Sequence, residues 1–308
     1  MMNVLNFYVG LYGLLYNRPS IHYRVLSPLR FVVRKLANRQ IPAYLSKQPN
    51  ENKGAIIEGL IVSFTSFPER IDKVWQVVEC LKRQTYLPEK IILWLSKDQF
   101  PTKNSIPTSL MNQIDGLFEI RVMDGDLKSY KKCCYAFSEY SDKTIITVDD
   151  DIFYHPDTIK YLVDGGRLYP GCIIANITSR LTFCNGEIRP YRQWCSEVKP
   201  YEFDNLVQIG AGGVLYPPCL LPLLTMRDDL FMKLAPQADD LWLNAMARIE
   251  NIPVVKSSSQ ILFLGIEDNA KPLYSTNVTQ GKNDEQLANI RGYLKQEYQK
   301  DVYCEEWH

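Results

Sequence analysis

Between Glu58 and Val148 the chain alternates apolar, β-branched runs with helical spacing, and this rhythm limits the fold more than any other feature of the sequence. EGLIVSF (58–64), KIILWLS (90–96), LFEIRVM (117–123) and KTIITV (143–148) read as strands. After the first, Pro68 opens a stretch in which Ile71, Val74, Trp75, Val78 and Leu81 recur at intervals of three and four, one face of a helix. Residues 129–140 read as a second helix and 156–163 as a third. Such alternation predicts an α/β fold with a mostly parallel, Rossmann-like sheet flanked by helices, and ligands in such sheets bind beyond the carboxyl ends of the strands. No GxGxxG or Walker loop follows the first strand, which argues against dinucleotide binding.

The fourth strand runs straight into Asp149-Asp150-Asp151. On an extended chain side chains alternate, so Asp149 and Asp151 are expected to point the same way. Two like charges at a binding edge repel unless a cation lies between them, and oxygen ligands of this kind suit Mg²⁺ or Mn²⁺ bridging to phosphates. The bland alternative is a solvated acidic turn capping the next helix. His155 is better explained as a helix-start residue beside Pro156 than as a ligand.

The second half reads less regularly. CIIANIT (172–178) is a strand followed by Arg180, and Phe183, Arg189, Tyr191, Arg192 and Trp194 form an aromatic and basic stretch. It is either a sugar-facing surface or a β-hairpin turning at Asn185-Gly186, and the two are compatible. Gly210-Ala211-Gly212-Gly213 either lets backbone approach a ligand or makes a bulged turn before VLYP. Asp239-Asp240 open a helix anchored by Leu241, Trp242, Ala245, Met246 and Ile249; acids in a first turn are favoured by the helix dipole, or one of them is a general base. Residues 265–285 are polar and turn-rich, a closing loop or a linker to a last helix at 284–299 capped by Asn283 or Asp284.

In their order, these segments resemble nucleotide-sugar glycosyltransferases of the GT-A fold. VSFTSFPERIDKVWQVVECLKRQTYLPEKIILWLS is similar to that fold's first strand, helix and second strand; TIITVDDDIFYHPD resembles its Asp-X-Asp signature; QIGAGGVLYPP with QADDLWLNAMA resembles its acceptor segment. The layout, over about 58–260, is similar to bacterial surface-polysaccharide transferases, with some likeness to exostosin-type catalytic domains. The resemblance implies transfer of a sugar from a nucleoside-diphosphate sugar, a UDP-sugar above all, to a glycan or lipid-linked glycan, with Mn²⁺ or Mg²⁺. It implies a metal at Asp149 and Asp151 and a nucleotide held by Thr65, Phe67, Arg70, Asp126, Lys131, Lys132, Asp149 and Asp150. It implies an acceptor near Arg180, Trp194, Gly212 and Gly213, with Asp240, or its neighbour Asp239, as catalytic carboxylate. The C-terminal metal-binding histidine of some such enzymes has no clear counterpart, His308 being the last residue.

Charge adds a second theme. The formal balance of the 308 residues is zero, which disfavours nucleic acid as a partner. Yet residues 1–50 carry Arg18, Arg24, Arg30, Arg34, Lys35, Arg39 and Lys47 and no acid, leaving 28 basic and 35 acidic groups, −7, on the rest. Val4–Tyr16 is apolar but too short to span a bilayer. The expected division is a basic, apolar arm (1–52) and a transferase domain (53–308), with a nucleotide half (58–155), an acceptor half (156–285) and the last helix. The arm reads as amphipathic interfacial helices on an anionic membrane, or as helices packed on the domain or on a second subunit in a homo-oligomer. Eight cysteines without a CxxC pair, and no secretory signal, suggest a reducing compartment: cytoplasmic, peripheral at the inner membrane face. The Asn176 and Asn277 sequons are then chance. Two other classes also want clustered aspartates or this scaffold: a metal-dependent phosphoryl hydrolase, which would need a nucleophile or second metal set near the first strand where VSFTSFPER has no aspartate, and a non-catalytic carbohydrate-binding protein.

Overall fold

The structure, a computed structural model, describes residues 4–16, 26–47, 54–196, 198–219, 223–260, 263–267 and 281–305. The expectations attached to Arg18, Arg24, the segment 268–280, the Asn277 sequon and His308 lie outside the described residues.

Four apolar runs become the parallel strands β1 (Ala55–Thr65), β2 (Tyr86–Ser96), β3 (Phe118–Met123) and β4 (Thr144–Thr147). Leu60–Phe64 and Ile91–Ser96 are buried throughout, as expected of strands covered on both faces. Gly59, in the left-handed region at φ 72°, lies within the register shift between Ile57 and Ile61, where an L side chain would be strained. Helix α3 (Val74–Lys82), entered through a 3₁₀ turn at Ile71–Lys73, and α4 (Lys131–Glu139), entered through Lys128–Tyr130, return the chain between strands.

Beyond β4 come β5 (Ile152–Phe153), α5 (Thr158–Leu168), β6 (Ile173–Ala175), β7 (Thr178–Arg180), β8 (Phe183–Cys184), β9 (Glu187–Ile188), β10 (Leu206–Gln208) and β11 (Val214–Tyr216). Then follow α6 (Asp239–Ile249), β12 (Val254–Lys256), β13 (Leu264–Gly265) and α7 (Lys282–Tyr298). The main sheet has seven strands in the order β3-β2-β1-β4-β11-β6-β12, with β11 antiparallel to both neighbours and every other pair parallel. This is the mostly parallel, Rossmann-like α/β sheet that the alternation predicts.

Two expectations change in detail, and one turn forms as expected. CIIANIT is two strands, because Asn176 leaves the ladder: its side chain donates to Thr158 O and Gly212 O, and β7 pairs with β10 instead. The hairpin at Asn185-Gly186 forms, with both residues at positive φ (55° and 80°). Helix α7 starts at Lys282 after left-handed Gly281, so Asn283 and Asp284 sit inside its first turn; the Asp284 carboxylate accepts from Tyr191 N instead of capping.

The basic arm forms α1 (Val4–Tyr16) and α2 (Ser27–Lys47), packed on each other. Leu5, Tyr8 and Val9 of α1 and Val33, Ala37, Ile41 and Leu45 of α2 join the apolar cluster that covers β1 and β2. Among the described residues no helix is long and apolar enough to cross a membrane.

Candidate functional site

Five carboxylates and two buried cations meet at the carboxyl edge of the main sheet. β4 ends at Thr147, and the Val148 amide donates to Ser63 O as the last contact with β1. The Asp149 amide instead donates to the hydroxyl of buried Tyr154, 2.8 Å away, and the chain turns at Asp150–Asp151. The expectation that Asp149 and Asp151 face the same way therefore fails, because the backbone is not extended there. Adjacent Asp150 and Asp151 share one guanidinium, with Arg70 Nη1 2.9 Å from Asp150 Oδ1 and 2.8 Å from Asp151 Oδ2. Asp149 turns the other way, to Lys132 Nζ at 2.7 Å.

The Arg70 group is compact. Ser66 Oγ donates to Asp150 Oδ2, and the guanidinium lies 5.3 Å from the Phe67 ring centroid, a cation–π contact. Burial raises the Asp150 carboxyl, while Arg70 and Ser66 pull it back down. Phe67 and Arg70 thus stand where the sequence puts them, but Arg70 is an internal counter-ion to the acids. Thr65 Oγ1 donates to Trp94 O inside the sheet.

The Lys132 group draws on distant segments. Lys132 Nζ lies 2.7 Å from Asp149 Oδ1 and 3.1 Å from Asp239 Oδ2. The Asp239 oxygen is buried and makes no aligned hydrogen bond there, so this contact is an ion pair alone. Asp240 Oδ2 accepts from Gly210 N at 2.9 Å. A side chain at Gly210 would put its Cβ 3.1 Å from Asp240 Oδ1 and 3.3 Å from Lys132 Nζ, so this glycine is the close approach. Burial opposes the charge of Lys132, but Asp149, Asp239 and Asp240 outweigh it and hold its pKa well up. Burial and then Asp239 push Asp240 up to about 7.

The start of α6 is held from several sides. Leu241, Trp242, Leu243, Ala245 and Met246 are buried, and each large side chain contributes about 1.5–3 kcal/mol. Gln208 Nε2 donates to Asp240 O, and Gln208 Oε1 accepts from Asn244 Nδ2.

Other expected residues serve the fold. Lys131 is buried on Asp126, which also accepts from Gln99 Nε2 and Lys128 N, so neither faces the acid cluster. Arg180 pairs with Glu202, away from the acids. Trp194 is buried in the second apolar cluster, its indole N–H donating to Arg189 O, so it offers no open ring face to a sugar. A side chain at Gly212 would strike Ile177, so its bareness serves internal packing, and Gly213 supplies positive φ (86°). His155 is a helix-start residue: its Nδ1 accepts from Asp157 N, and burial lowers its pKa. Ser66 and Tyr154 are site residues that the sequence does not single out, although Ser66 follows the first strand directly and Tyr154 lies five residues from Asp149.

The donor set suits a hard divalent cation. All five acids offer oxygen, and the two named for a metal, Asp149 and Asp151, keep 31% and 28% of their side chains accessible against 7% for Asp150. Among the described residues no three His, Cys, Asp or Glu are gathered as a ready ligand set. Mg²⁺-like ions commonly take only one or two carboxylates and complete their shell with water and phosphate.

No family model and no curated protein matches the sequence. Solved structures that resemble the chain include an apo UDP-glucose pyrophosphorylase (11% identity, covering 79% of this chain and 99% of that one, TM-score 0.37). A 4-diphosphocytidyl-2C-methyl-D-erythritol synthase is similar at 12% identity, 74% and 99% coverage and TM-score 0.37. A UDP-glucose pyrophosphorylase complexed with UDP-glucose gives 9%, 79% and 99%, and 0.38. Likeness this distant does not extend to a shared activity.

Proposed function

We propose that the protein transfers a sugar from a nucleoside-diphosphate sugar to a glycan or lipid-linked glycan acceptor, using Mn²⁺ or Mg²⁺. The observation that carries the reading is the charge at the sheet edge. Asp149, Asp150, Asp151, Asp239 and Asp240 gather there, and Asp149 and Asp151 keep 31% and 28% of their side chains accessible, oxygen ligands that suit a divalent cation and its diphosphate. Asp151 would hold the ion, whose chemistry is to neutralise the departing diphosphate, and Asp149, which faces Lys132, would join it on turning its side chain toward Asp151. Phe67 lies beside the first strand, where it suits a nucleoside base.

Asp240 suits the acceptor. An acceptor hydroxyl oxygen forms a bond to the anomeric carbon as the bond from that carbon to the diphosphate breaks, and the hydroxyl proton passes to the Asp240 carboxylate. A base poised near pH 7 is efficient at physiological pH. Asp239 holds Lys132 against Asp149, a positioning role. A hydrolase reading is weaker, because the loop after β1 offers no aspartate, and Thr65 and Ser66 are engaged in internal hydrogen bonds.

The test is nucleoside diphosphate release from a panel of nucleoside-diphosphate sugars with Mn²⁺, with EDTA, and with Asp240→Asn. Metal-dependent release that falls about 10²-fold in Asp240→Asn, with donor affinity retained, is the expected result. Release of inorganic phosphate, or turnover unaffected by EDTA, contradicts it.

A further inference from the structure

We infer that the outer face of the α1–α2 pair is a docking surface for an anionic lipid bilayer. The observation is a concentration of exposed apolar side chains on a segment with no acid. Phe7, Leu14, Leu29, Phe31, Val32 and Leu36 are each 42–67% exposed. Thirteen large hydrophobic side chains are this exposed among the described residues, and six of them fall in these two helices. Phe7 and Leu14 stand seven residues apart, on one face of α1. On α2 the spacing of Leu29, Val32, Lys35, Leu36 and Arg39 lays apolar and basic side chains along one outward stripe, opposite the buried stripe of Val33, Ala37, Ile41 and Leu45.

That pattern fits a headgroup boundary better than a protein surface. Apolar side chains reach the acyl region, while long cationic stems turn their charges back to lipid phosphates. Arg34 and Lys35 have their cationic ends 5.9 and 5.6 Å from the Phe31 ring centroid, so charge and apolar surface are contiguous. Glu267 pairs with Arg34 and Lys35, fixing the roots of the stripe to the body; Arg39, further along, is exposed. A second copy docking through the same face about a twofold axis would set Lys35 and Arg39 against like charges. The inner faces of both helices are already spent on the core, so the outer faces need another solvent.

The surface is also tied to the acid cluster. Asn38 Nδ2 donates to Gly265 O at 3.0 Å and Asn38 Oδ1 accepts from Glu267 N at 2.7 Å. Gly265 belongs to β13, whose partner β5 begins directly after Asp151. Docking therefore holds the sheet edge near the bilayer, which, resting on the function proposed above, suits a lipid-linked acceptor.

The test sediments the full chain with vesicles of phosphatidylcholine alone and of phosphatidylcholine mixed with phosphatidylglycerol, at low and high salt. UDP binding is measured on the same samples, so that failure here and failure of the transferase reading stay distinct. The expected result is binding to the mixed vesicles only, released by salt. Val32→Ser/Leu36→Ser should weaken it about tenfold, and Arg39→Gln about fivefold, with circular dichroism unchanged. Absence of binding, equal binding to neutral vesicles, or wild-type binding by folded variants overturns the inference. So does a concentration-dependent dimer that Val32→Ser/Leu36→Ser dissolves while vesicles go unbound. If a serine variant fails to fold, Arg39→Gln and the salt dependence of the wild type still decide.

Discussion

Arg70 and Lys132 are both buried cations at one sheet edge, yet they hold unequal loads. Arg70 serves two adjacent carboxylates, Asp150 and Asp151, and the Ser66 hydroxyl also donates to Asp150. Lys132 pairs with Asp149 and Asp239 and is also held charged by nearby Asp240, with one buried Asp239 oxygen lacking a hydrogen bond. The first group is built from residues within one strand–turn–strand neighbourhood, β1 to β4. The second draws together α4, the end of β4 and the start of α6. The difference teaches how each group is built: the local one is a compact structural knot with an accessible edge at Asp151, whereas the assembled one brings distant segments together and holds Asp240, whose carboxyl burial and Asp239 push up to about 7.

If that contrast is right, removing the two cations should not cost the same. Lys132→Met strips the counter-ion from three crowded acids and should lower unfolding free energy by about 3–5 kcal/mol, the scale for breaking a buried ion pair. Urea titration at pH 7 measures it. Arg70→Met should cost less, about 1.5–3 kcal/mol, since Asp150 keeps Ser66 and can take up a proton that burial already favours. That deficit should shrink at pH 5. Equal losses that do not respond to pH would erase the distinction between the groups.

Gly210→Ala probes the assembled group from its backbone side. Its new methyl would crowd Asp240 and Lys132, and Lys132 has a flexible tether, so the stability loss should be about 1 kcal/mol. The same substitution at Gly212 meets Ile177 backbone and side chain and should be the worse of the two for folding but not for UDP affinity.

The smallest effect is a pH dependence. In the fold the Asp240 carboxyl keeps its proton up to about pH 7, whereas the unfolded chain loses it in the ordinary carboxylate range. Its contribution to stability is thus full below that range and is lost as pH rises through 7. Asp240→Asn should remove this slope, gaining on the wild type between pH 4 and about 7, while transfer by the wild type climbs over the same upper interval as the carboxylate appears. A wild-type stability profile parallel to that of the variant would show that Asp240 is not the strained acid.

Much of the local group was legible in the sequence. Long buried parallel strands print continuous apolar runs, and Asp149–Asp151 follow one of them directly, so strand, edge and acids could be read from about ninety consecutive residues. What failed there was local: alternation assumes an extended backbone, and the Tyr154 hydroxyl, taking the Asp149 amide, ends the ladder one residue before the acids. The assembled group was legible only in part. Asp239 and Asp240 stood out as a helix start, but their meeting with Lys132 depends on the antiparallel insertion of β11 and on the Gly210 turn, neither of which leaves a periodic signal. Trp194 shows the opposite error: an aromatic beside arginines looked like a sugar platform and is core.

The central claim is that the acids at the end of β4 hold a divalent cation with a nucleoside diphosphate. Isothermal titration of UDP into the full chain tests it, with Mn²⁺, with EDTA, and with Mn²⁺ on Asp151→Asn. The account predicts binding with Mn²⁺ alone, abolished by EDTA and lost in Asp151→Asn, while Asp240→Asn binds like the wild type. UDP affinity that is the same in EDTA, or unchanged in Asp151→Asn, would contradict it.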